Sequence, residues 1–312
     1  MRFPFRKTKA SAGLAFNRRN ALVSVASVLR GGAKPKLVTC ITHPLLDNTP
    51  DGWKALSKEL HLARTPTLML LAPSEYQMLQ VDAPSVPEAE IKSAVRWKLK
   101  DLLNFPLEQA TVDVIHIPND KSAPGRARFV YAVAAHNEVI KRCVENSVAA
   151  GVDLEVIDIP EMAQRNIAAL LEEDGRGIAL LTFNDDGGLL TFTAGGELYH
   201  ARQMELTAPQ FVVADESQRK RAFERLVLEL QRSFDSFERQ MNYIILTKLV
   251  LGPMPGQTEL EEHLRTNLDI TVASIDLTDV VNLTGIKGLS DPAMQAQCFL
   301  AIGAALREEG VR

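Results

Sequence analysis

Hydrophobic and polar positions in the N-terminal part of the chain form short apolar segments separated by polar turns. The apolar segments predict strands at residues 13–16, 21–25, 37–41 and 67–71. The tetrad Asn17–Asn20, with asparagine at both ends, has the composition of a hairpin turn between the first two strands. Trp53, Leu56 and Leu60 have helical spacing and predict a helix over residues 53–62. The expected order is strand, strand, strand, helix, strand.

The next part of the chain contains the strongest helical pattern. A helix is predicted over residues 88–103, because Pro87 suits its start and Glu88 and Glu90 suit its positive N-terminal end. Its apolar face is formed by Ile91, Val95, Leu99 and Leu102. Strands are predicted at residues 76–81, 112–117, 128–134 and 154–159, a turn at 118–125, and helices at 137–150 and 161–171. Gly151 is placed to cap the helix that precedes it.

The chain then begins a second series of elements after Gly175–Gly177. Three antiparallel strands are predicted at residues 178–183, 189–194 and 197–204, with glycine-containing hairpin turns between them. A long helix follows at 221–243, then a strand at 244–251, a helix at 259–267, a strand at 270–275 and a helix at 294–306. Each half thus opens with hairpin-linked strands and continues with helices and strands. This order predicts two lobes with a duplicated α/β plan, although the halves share no sequence identity.

Composition and charge exclude several classes of protein. With 46% hydrophobic and 24% charged residues in 312, the chain has the composition of a globular protein and the length of two domains. A net charge of −4 argues against an electrostatic nucleic-acid binder. Cys40, Cys143 and Cys298 form no closely spaced pair, and their odd number argues against a disulfide framework, so a reducing compartment is expected. No segment reaches the ~18 consecutive apolar residues of a membrane span.

The N-terminal residues 1–9 are basic but lack the apolar core of a signal peptide. We expect a soluble leader. The alternative is contact with an anionic membrane surface, because Phe3 and Phe5 lie between cations.

No catalytic or metal-binding motif is present in the sequence. The chain contains no GxSxG, Walker A or GxGxxG pattern, and its six histidines lack the spacing of metal ligands. Asp185-Asp186-Gly187 has the acidic residues of a calcium loop without the remaining ligands, which favours a turn. We therefore expect no catalytic residue and no metal site.

Three stretches together resemble a known family. The first contains Arg96-Trp97 on the predicted helix and then Phe105-Pro106-Leu107-Glu108 before a strand. Residues 133–160 and 226–268 support it by their order of strands and helices. The chain resembles the PilM-like accessory proteins of type IV pili, and within them those of MSHA-type pilus systems. The cytoplasmic part of the type II secretion protein GspL is a more distant relative.

The resemblance implies an α/β, two-lobed actin-like (ribonuclease H-like) fold, related to the cell-division protein FtsA, with an inserted subdomain in the first lobe. The implied first lobe is residues 1–175, with the insert at about 76–150. The implied second lobe is residues 176–293, and the C-terminal helix, 294–312, is expected to return to the first lobe.

In nucleotide-binding members of this superfamily, two Asp-x-Gly turns clamp the phosphates, since glycine lets the backbone approach and the acid positions the metal. In this chain Ala15 and Asn17 take the acid and glycine positions of the first turn, and Thr182 and Asn184 those of the second. The adenosine-side turn, which begins at Gly252, contains two prolines without N–H donors. The resemblance therefore implies a degenerate cleft, no enzymatic activity and no cofactor, with ATP and magnesium as the alternative.

Arg18 and Arg19 leave a second alternative, because arginine pairs bidentately with phosphate. They could hold an anion, although a solvated turn is the simpler interpretation.

The resemblance also implies a cytoplasmic scaffold, peripheral at the inner membrane, that binds the cytoplasmic tail of a PilN-like membrane protein and contacts other pilus assembly components. The implied groove lies between the first lobe and the insert, around Arg96, Trp97, Phe105 and Pro106. Trp97 has an alternative and favoured interpretation, which is packing of the insert against the first lobe. The alternative functions are an ATP-dependent switch or slow ATPase and a GspL-like secretion component; such a component is expected to continue into a membrane helix.

Overall fold

The computed structural model describes residues 13–30, 32–119, 128–286 and 288–307. The predicted leader, Gly31 and most of the predicted turn at 118–125 lie outside these residues. The chain divides into two compact units, one with residues up to Ser24 and Thr42–Pro160, the other with Val25–Ile41 and the residues from Glu161 onward. These units are cut at residues that differ from the predicted lobe boundaries, and those boundaries stay a prediction.

The first five-stranded sheet has the strand order β3-β2-β1-β4-β8. Its strands are β1 (Leu14–Arg19), β2 (Leu22–Leu29), β3 (Lys36–Pro44), β4 (Pro66–Leu70) and β8 (Asp153–Asp158). The strands β1, β4 and β8 run parallel. Two helices of the first unit, α1 (Pro50–Leu60) and α3 (Asn137–Ala150), pack together. Gly151 ends α3 with φ 65°, as the sequence predicts.

The inserted part of the first unit is a three-stranded antiparallel sheet covered by one helix. Its strands are β5 (Tyr76–Asp82), β6 (Ala110–His116) and β7 (Phe129–His136), in the order β5-β7-β6, and its helix is α2 (Glu88–Lys98). Val95 and Leu99 are fully buried in its small apolar core against the sheet. The insert therefore has a core of its own.

The second five-stranded sheet has the order β11-β10-β9-β12-β13. Its strands are β9 (Gly177–Phe183), β10 (Gly188–Ala194), β11 (Glu197–Met204), β12 (Leu246–Leu251) and β13 (Thr271–Ser274). The helices of this unit are α4 (Pro160–Ala168), α5 (Glu216–Gln240), α6 (Gln257–Asn267) and α7 (Pro292–Ala305). Its core brings α7 against Ile167 of α4 and Leu37 of β3. On α5, Phe237 is buried as predicted and stacks on Phe192.

The two sheets have the same strand order, which confirms the duplicated plan. In each sheet the hairpin-linked strands come first along the chain, and the last two strands are added in parallel after helices. Parallel addition requires a crossover, which the intervening helical segments provide. Element order in the sequence therefore indicated the duplicated plan, whereas the strand order within each sheet comes from the structure.

Several predicted boundaries differ from the observed ones; the long helix predicted at 221–243, for example, is Glu216–Gln240. Two of the differences affect the candidate site and have local reasons. The first hairpin turn is not Asn17–Asn20, because β1 continues to Arg19 and Asn17 pairs in register with Leu70 of β4. The chain reverses at Asn20–Ala21 instead, with Asn20 in the left-handed region at φ 50°. Helix α2 ends at Lys98, five residues early, because the chain then makes successive tight turns through Leu102.

Within the described ranges, no helix is both long and apolar enough to span a bilayer.

Candidate functional site

The first hairpin places its predicted cleft residues inside the sheet. Ala15 is buried on β1, and the Asn17 side chain is only 6% exposed. Strand residues of this kind have their backbone groups committed to the ladder, so their N–H groups are unavailable to a phosphate. Asn17 was predicted as a turn residue because it is polar, but it occupies a buried position on a strand.

Arg18 contacts a carboxylate rather than open solvent. Its Nη2 lies 3.2 Å from Glu75 Oε1, and Arg142 Nη2 lies 2.7 Å from the same oxygen. The other oxygen of Glu75 accepts a hydrogen bond of 2.8 Å from the Ala72 N–H. Glu75 thus joins β1, the β4–β5 connection and α3. Because the carboxylate neutralises one guanidinium charge and orients both groups, the solvated-turn interpretation of Arg18 is wrong.

The second hairpin turn is closed by hydrogen bonds of its own. The Asn184 N–H donates to the Gly187 carbonyl at 2.9 Å, and Asn184 Oδ1 accepts from the Asp186 N–H at 2.6 Å. Gly187 adopts φ 148°, and a Cβ there would lie 2.6 Å from the Met204 carbonyl oxygen. The glycine is therefore needed for the approach of the neighbouring strand. Two backbone N–H groups of the turn therefore donate hydrogen bonds to acceptors within the turn itself.

Thr182 is part of a buried hydrogen-bond network. Its hydroxyl donates to Gln164 Oε1 at 2.7 Å. The Gln164 side chain is fully buried, and its Nε2 lies 2.7 Å from the Leu180 carbonyl and 3.0 Å from Thr191 Oγ1. This amide connects α4 to the second sheet, and both of its polar atoms are satisfied by these partners although the side chain is buried. Thr182, which takes the position expected for the acid of the second turn, is thus bound to Gln164 in this structure.

Gly252 lies directly against Thr182. Its N–H donates to the Leu181 carbonyl at 2.8 Å, and a Cβ at this position would lie 2.5 Å from Thr182 Cγ2. Met254, two residues later, is buried. The structure therefore brings Thr182 and Gly252 together and gives the glycine a packing role.

This contact makes a testable prediction. Gly252→Ala is expected to lower the free energy of unfolding by about 1–3 kcal/mol, because the new methyl group overlaps the threonine methyl group. Thr182→Ser removes that methyl group and keeps the hydroxyl, so the double variant should recover most of the loss. Urea denaturation followed by circular dichroism measures all three. A double variant as unstable as Gly252→Ala alone would contradict the packing role.

Arg96 on the insert binds backbone oxygens of its own subdomain. Its Nη1 lies 2.7 Å from the Ala110 carbonyl, and its Nη2 lies 2.7 Å from the Leu107 carbonyl. The guanidinium fork thereby fixes the segment that follows Phe105-Pro106 against α2. Charged donors on neutral acceptors form strong hydrogen bonds. Arg96 is therefore a positioning residue for this segment.

Trp97 is 75% exposed, so the favoured prediction that it packs the insert is wrong. On an α-helix, residues two apart point in nearly opposite directions, and Trp97 is two residues from both Val95 and Leu99. Since those two form the buried face, Trp97 must point away from it. Leu102, predicted on the buried face, is 52% exposed because α2 ends before it.

The remaining predicted contact residues have different environments. Phe105 is half-buried, and its ring packs edge to face with His136 at a centroid distance of 5.4 Å. Pro106 is exposed. Of the four residues, Arg96 and Phe105 have contacts inside the insert, and Trp97 and Pro106 present their side chains at its surface.

Sequence reasoning missed Glu75 and Gln164. Each is a single polar residue in a segment without a motif, and each acts through partners far away in sequence. In the part of the chain that the structure describes, no cluster of three His, Cys, Asp or Glu residues could hold a metal ion.

Comparison with known proteins identifies the fold. Neither family models nor curated proteins match this sequence. Among solved structures, the chain is similar to the PilM–PilN type IV pilus biogenesis complex, with 18% identity over 95% of this chain and 98% of the other, at a TM-score of 0.74. It is also similar to a Bacteroides thetaiotaomicron protein with an actin-like ATPase fold and unknown function, with 10% identity over 87% and 92% of the two chains, at a TM-score of 0.52.

These similarities, with the two sheets of equal strand order, confirm the α/β two-lobed actin-like fold. They also confirm an antiparallel sheet inserted in it.

Proposed function

We propose that this protein is a scaffold of a type IV pilus inner-membrane complex, of the MSHA-type (MshI-like) branch, and that it binds the cytoplasmic tail of a PilN-like membrane protein. The observation that supports this most is the similarity, over nearly the full length of both chains, to a complex of PilM with PilN. In this proposal the protein is cytoplasmic and reaches the inner membrane through its partner.

We propose further that the protein is not an enzyme and needs no nucleotide. The support comes from three of the predicted cleft residues, each taken separately. Asn17 belongs to a buried strand, Arg18 is bound to Glu75, and Thr182 is bound to Gln164. A phosphate-binding turn needs unoccupied N–H groups and an acid to position magnesium. The contacts of these side chains serve internal packing instead.

The insert supplies the contact surface in this proposal. Trp97 is a large, exposed side chain on a short helix, and tryptophan is enriched at binding hot spots. Arg96 holds the following segment in place, so the indole and Pro106 project from a fixed frame. A fixed frame lowers the entropic cost of binding a peptide.

The test is direct binding of a synthetic peptide with the N-terminal tail of a PilN-like protein. The chain has two tryptophans, and Trp53 is only 4% exposed, with its Nε1 donating to Asn48 Oδ1 at 2.9 Å. A change in tryptophan emission on binding should therefore come from Trp97. Trp97→Ala lacks this reporter, so its affinity is measured with a dye-labelled peptide, and it is expected to weaken binding by at least about 10-fold while leaving the unfolding transition unchanged.

Leu228→Ala is the matched control, because Leu228 is also a large exposed apolar residue but lies on α5 of the second unit. Its affinity for the peptide should equal that of the wild type. Millimolar Mg-ATP should change neither affinity nor melting temperature. Absence of binding to any pilus inner-membrane tail would overturn the scaffold proposal, and saturable, magnesium-dependent ATP binding would overturn the nucleotide-free one.

A further inference from the structure

Two cysteines that are far apart in sequence meet in the core of the second unit. Cys40 lies on β3 and Cys298 lies on α7. Cys40 packs against the apolar cluster that contains Cys298. A hydrogen bond with the Cys298 thiol is the largest cause that raises the pKa of Cys40. Both residues belong to the same compact unit. Nothing in the sequence indicates this pair, because the three cysteines are widely spaced.

We propose that Cys40 and Cys298 are an oxidisable dithiol site, at which a small-molecule disulfide converts the two thiols into a disulfide that joins β3 to α7. This inference is independent of the proposed function, since it rests on the second unit and not on the insert.

The difference in exposure sets the order of the reaction. Cys298 is fully buried, whereas Cys40 is half-buried. An oxidant such as oxidised glutathione therefore meets Cys40 first. The Cys40 thiolate attacks one sulfur of the oxidant, which forms a mixed disulfide and releases one glutathione thiol.

Cys298 completes the exchange from inside the core. Its thiolate attacks the sulfur of Cys40, forms the internal disulfide and releases the second glutathione thiol. The protein has then lost two thiol protons and two electrons, and the oxidant has been reduced to two thiols. Because Cys298 already contacts Cys40, this second step is favoured by proximity.

The environment of Cys40 makes the oxidation of this dithiol slow. The hydrogen bond to Cys298 and burial both raise the pKa of the Cys40 thiol. Since only the thiolate reacts, the pair stays reduced under mild conditions. We expect oxidation over hours in a strongly oxidising glutathione buffer.

Cys143 provides an internal control. It lies on α3 in the first unit, and burial, reinforced by Glu75, raises its pKa to about 11. Its thiolate is therefore also scarce. Cys40 and Cys298 both belong to the second unit, so Cys143 has no second cysteine in its own unit with which to form a disulfide.

The experiment is oxidation of the full chain by oxidised glutathione, alkylation without reduction, and peptide mapping. The expected product is a peptide pair linked through Cys40 and Cys298, with Cys143 alkylated as a thiol. The oxidised protein should melt higher, by on the order of 5 °C, because a cross-link between distant residues restricts the unfolded chain. Reductant should reverse the shift.

Two variants separate the possible outcomes. Cys143→Ser should form the linked peptide as the wild type does, and Cys40→Ser should form none and show no shift in melting temperature. The proposal is overturned by a stable glutathione adduct on Cys40 without the internal bond. It is also overturned by a disulfide that includes Cys143, or by three unmodified thiols in a folded protein after prolonged oxidation.

Discussion

Gly303→Val is expected to abolish the stable fold of the second unit. Gly303 is buried in the last turn of α7, and a Cβ there would overlap the backbone carbonyl of Ala163 in α4. Its own carbonyl accepts a hydrogen bond of 2.8 Å from Asn166 Nδ2, which holds the two helices at this separation. A larger side chain must push the helices apart and break this bond. We expect a loss of more than about 3 kcal/mol in the free energy of unfolding.

The same helix offers a matched control for this prediction. Ala293→Val places the same side chain in the first turn of α7, where residue 293 is half-buried, and should cost less than about 1 kcal/mol. Urea denaturation and soluble yield measure both variants. Gly303→Ala is also informative, because glycine to alanine normally stabilises a helix by ~1 kcal/mol. A stabilised Gly303→Ala variant would show that α4 and α7 are not in the close contact described above.

Gln164→Leu has the second largest expected effect. Leucine has a similar volume but offers no hydrogen bond, so the Thr182 hydroxyl and the Leu180 carbonyl lose a partner inside the protein. Each lost hydrogen bond costs about 0.5–1.5 kcal/mol, and a polar group left buried without a partner costs about 1–3 kcal/mol, so we expect a total near 3 kcal/mol. The loss should appear in the free energy of unfolding measured by urea denaturation.

Gln231→Leu controls for the change of residue type, because Gln231 is exposed on α5 and makes only a long contact of 3.4 Å to the Asn267 carbonyl. The free energy of unfolding of this variant should lie within about 0.5 kcal/mol of that of the wild type. Combining Gln164→Leu with Thr182→Val removes both ends of one hydrogen bond. The double variant should therefore lose less than the sum of the single losses. Strict additivity would mean that the two side chains do not interact.

These two variants also bear on the proposed function. If Thr182 were kept for a nucleotide, its replacement would alter ligand binding before stability. If it is kept for Gln164, the effect is on stability, and binding of a partner tail by the insert is unchanged in the folded fraction. Measuring both properties on the same Thr182 variants distinguishes the two explanations.

The sequence by itself determined the elements and their order. Apolar periodicity identified every strand of both sheets, and Gly151 marked the C-terminal end of α3, because these signals depend on neighbours within a few residues. The order of elements also predicted the duplicated sheets, since hairpins and helical crossovers allow few arrangements. The family resemblance added the insert and the degenerate turns to this outline.

Only the tertiary structure decided what the individual side chains do. Leu102 is exposed because α2 ends before it, and Trp97 is exposed because Val95 lies on the opposite, buried face of the helix. Distant segments brought Glu75 to Arg18 and Cys40 to Cys298. The physical reason is that periodicity specifies which face of an element is apolar, whereas a hydrogen bond, an ion pair or a close approach depends on the atoms that another segment places within a few ångströms.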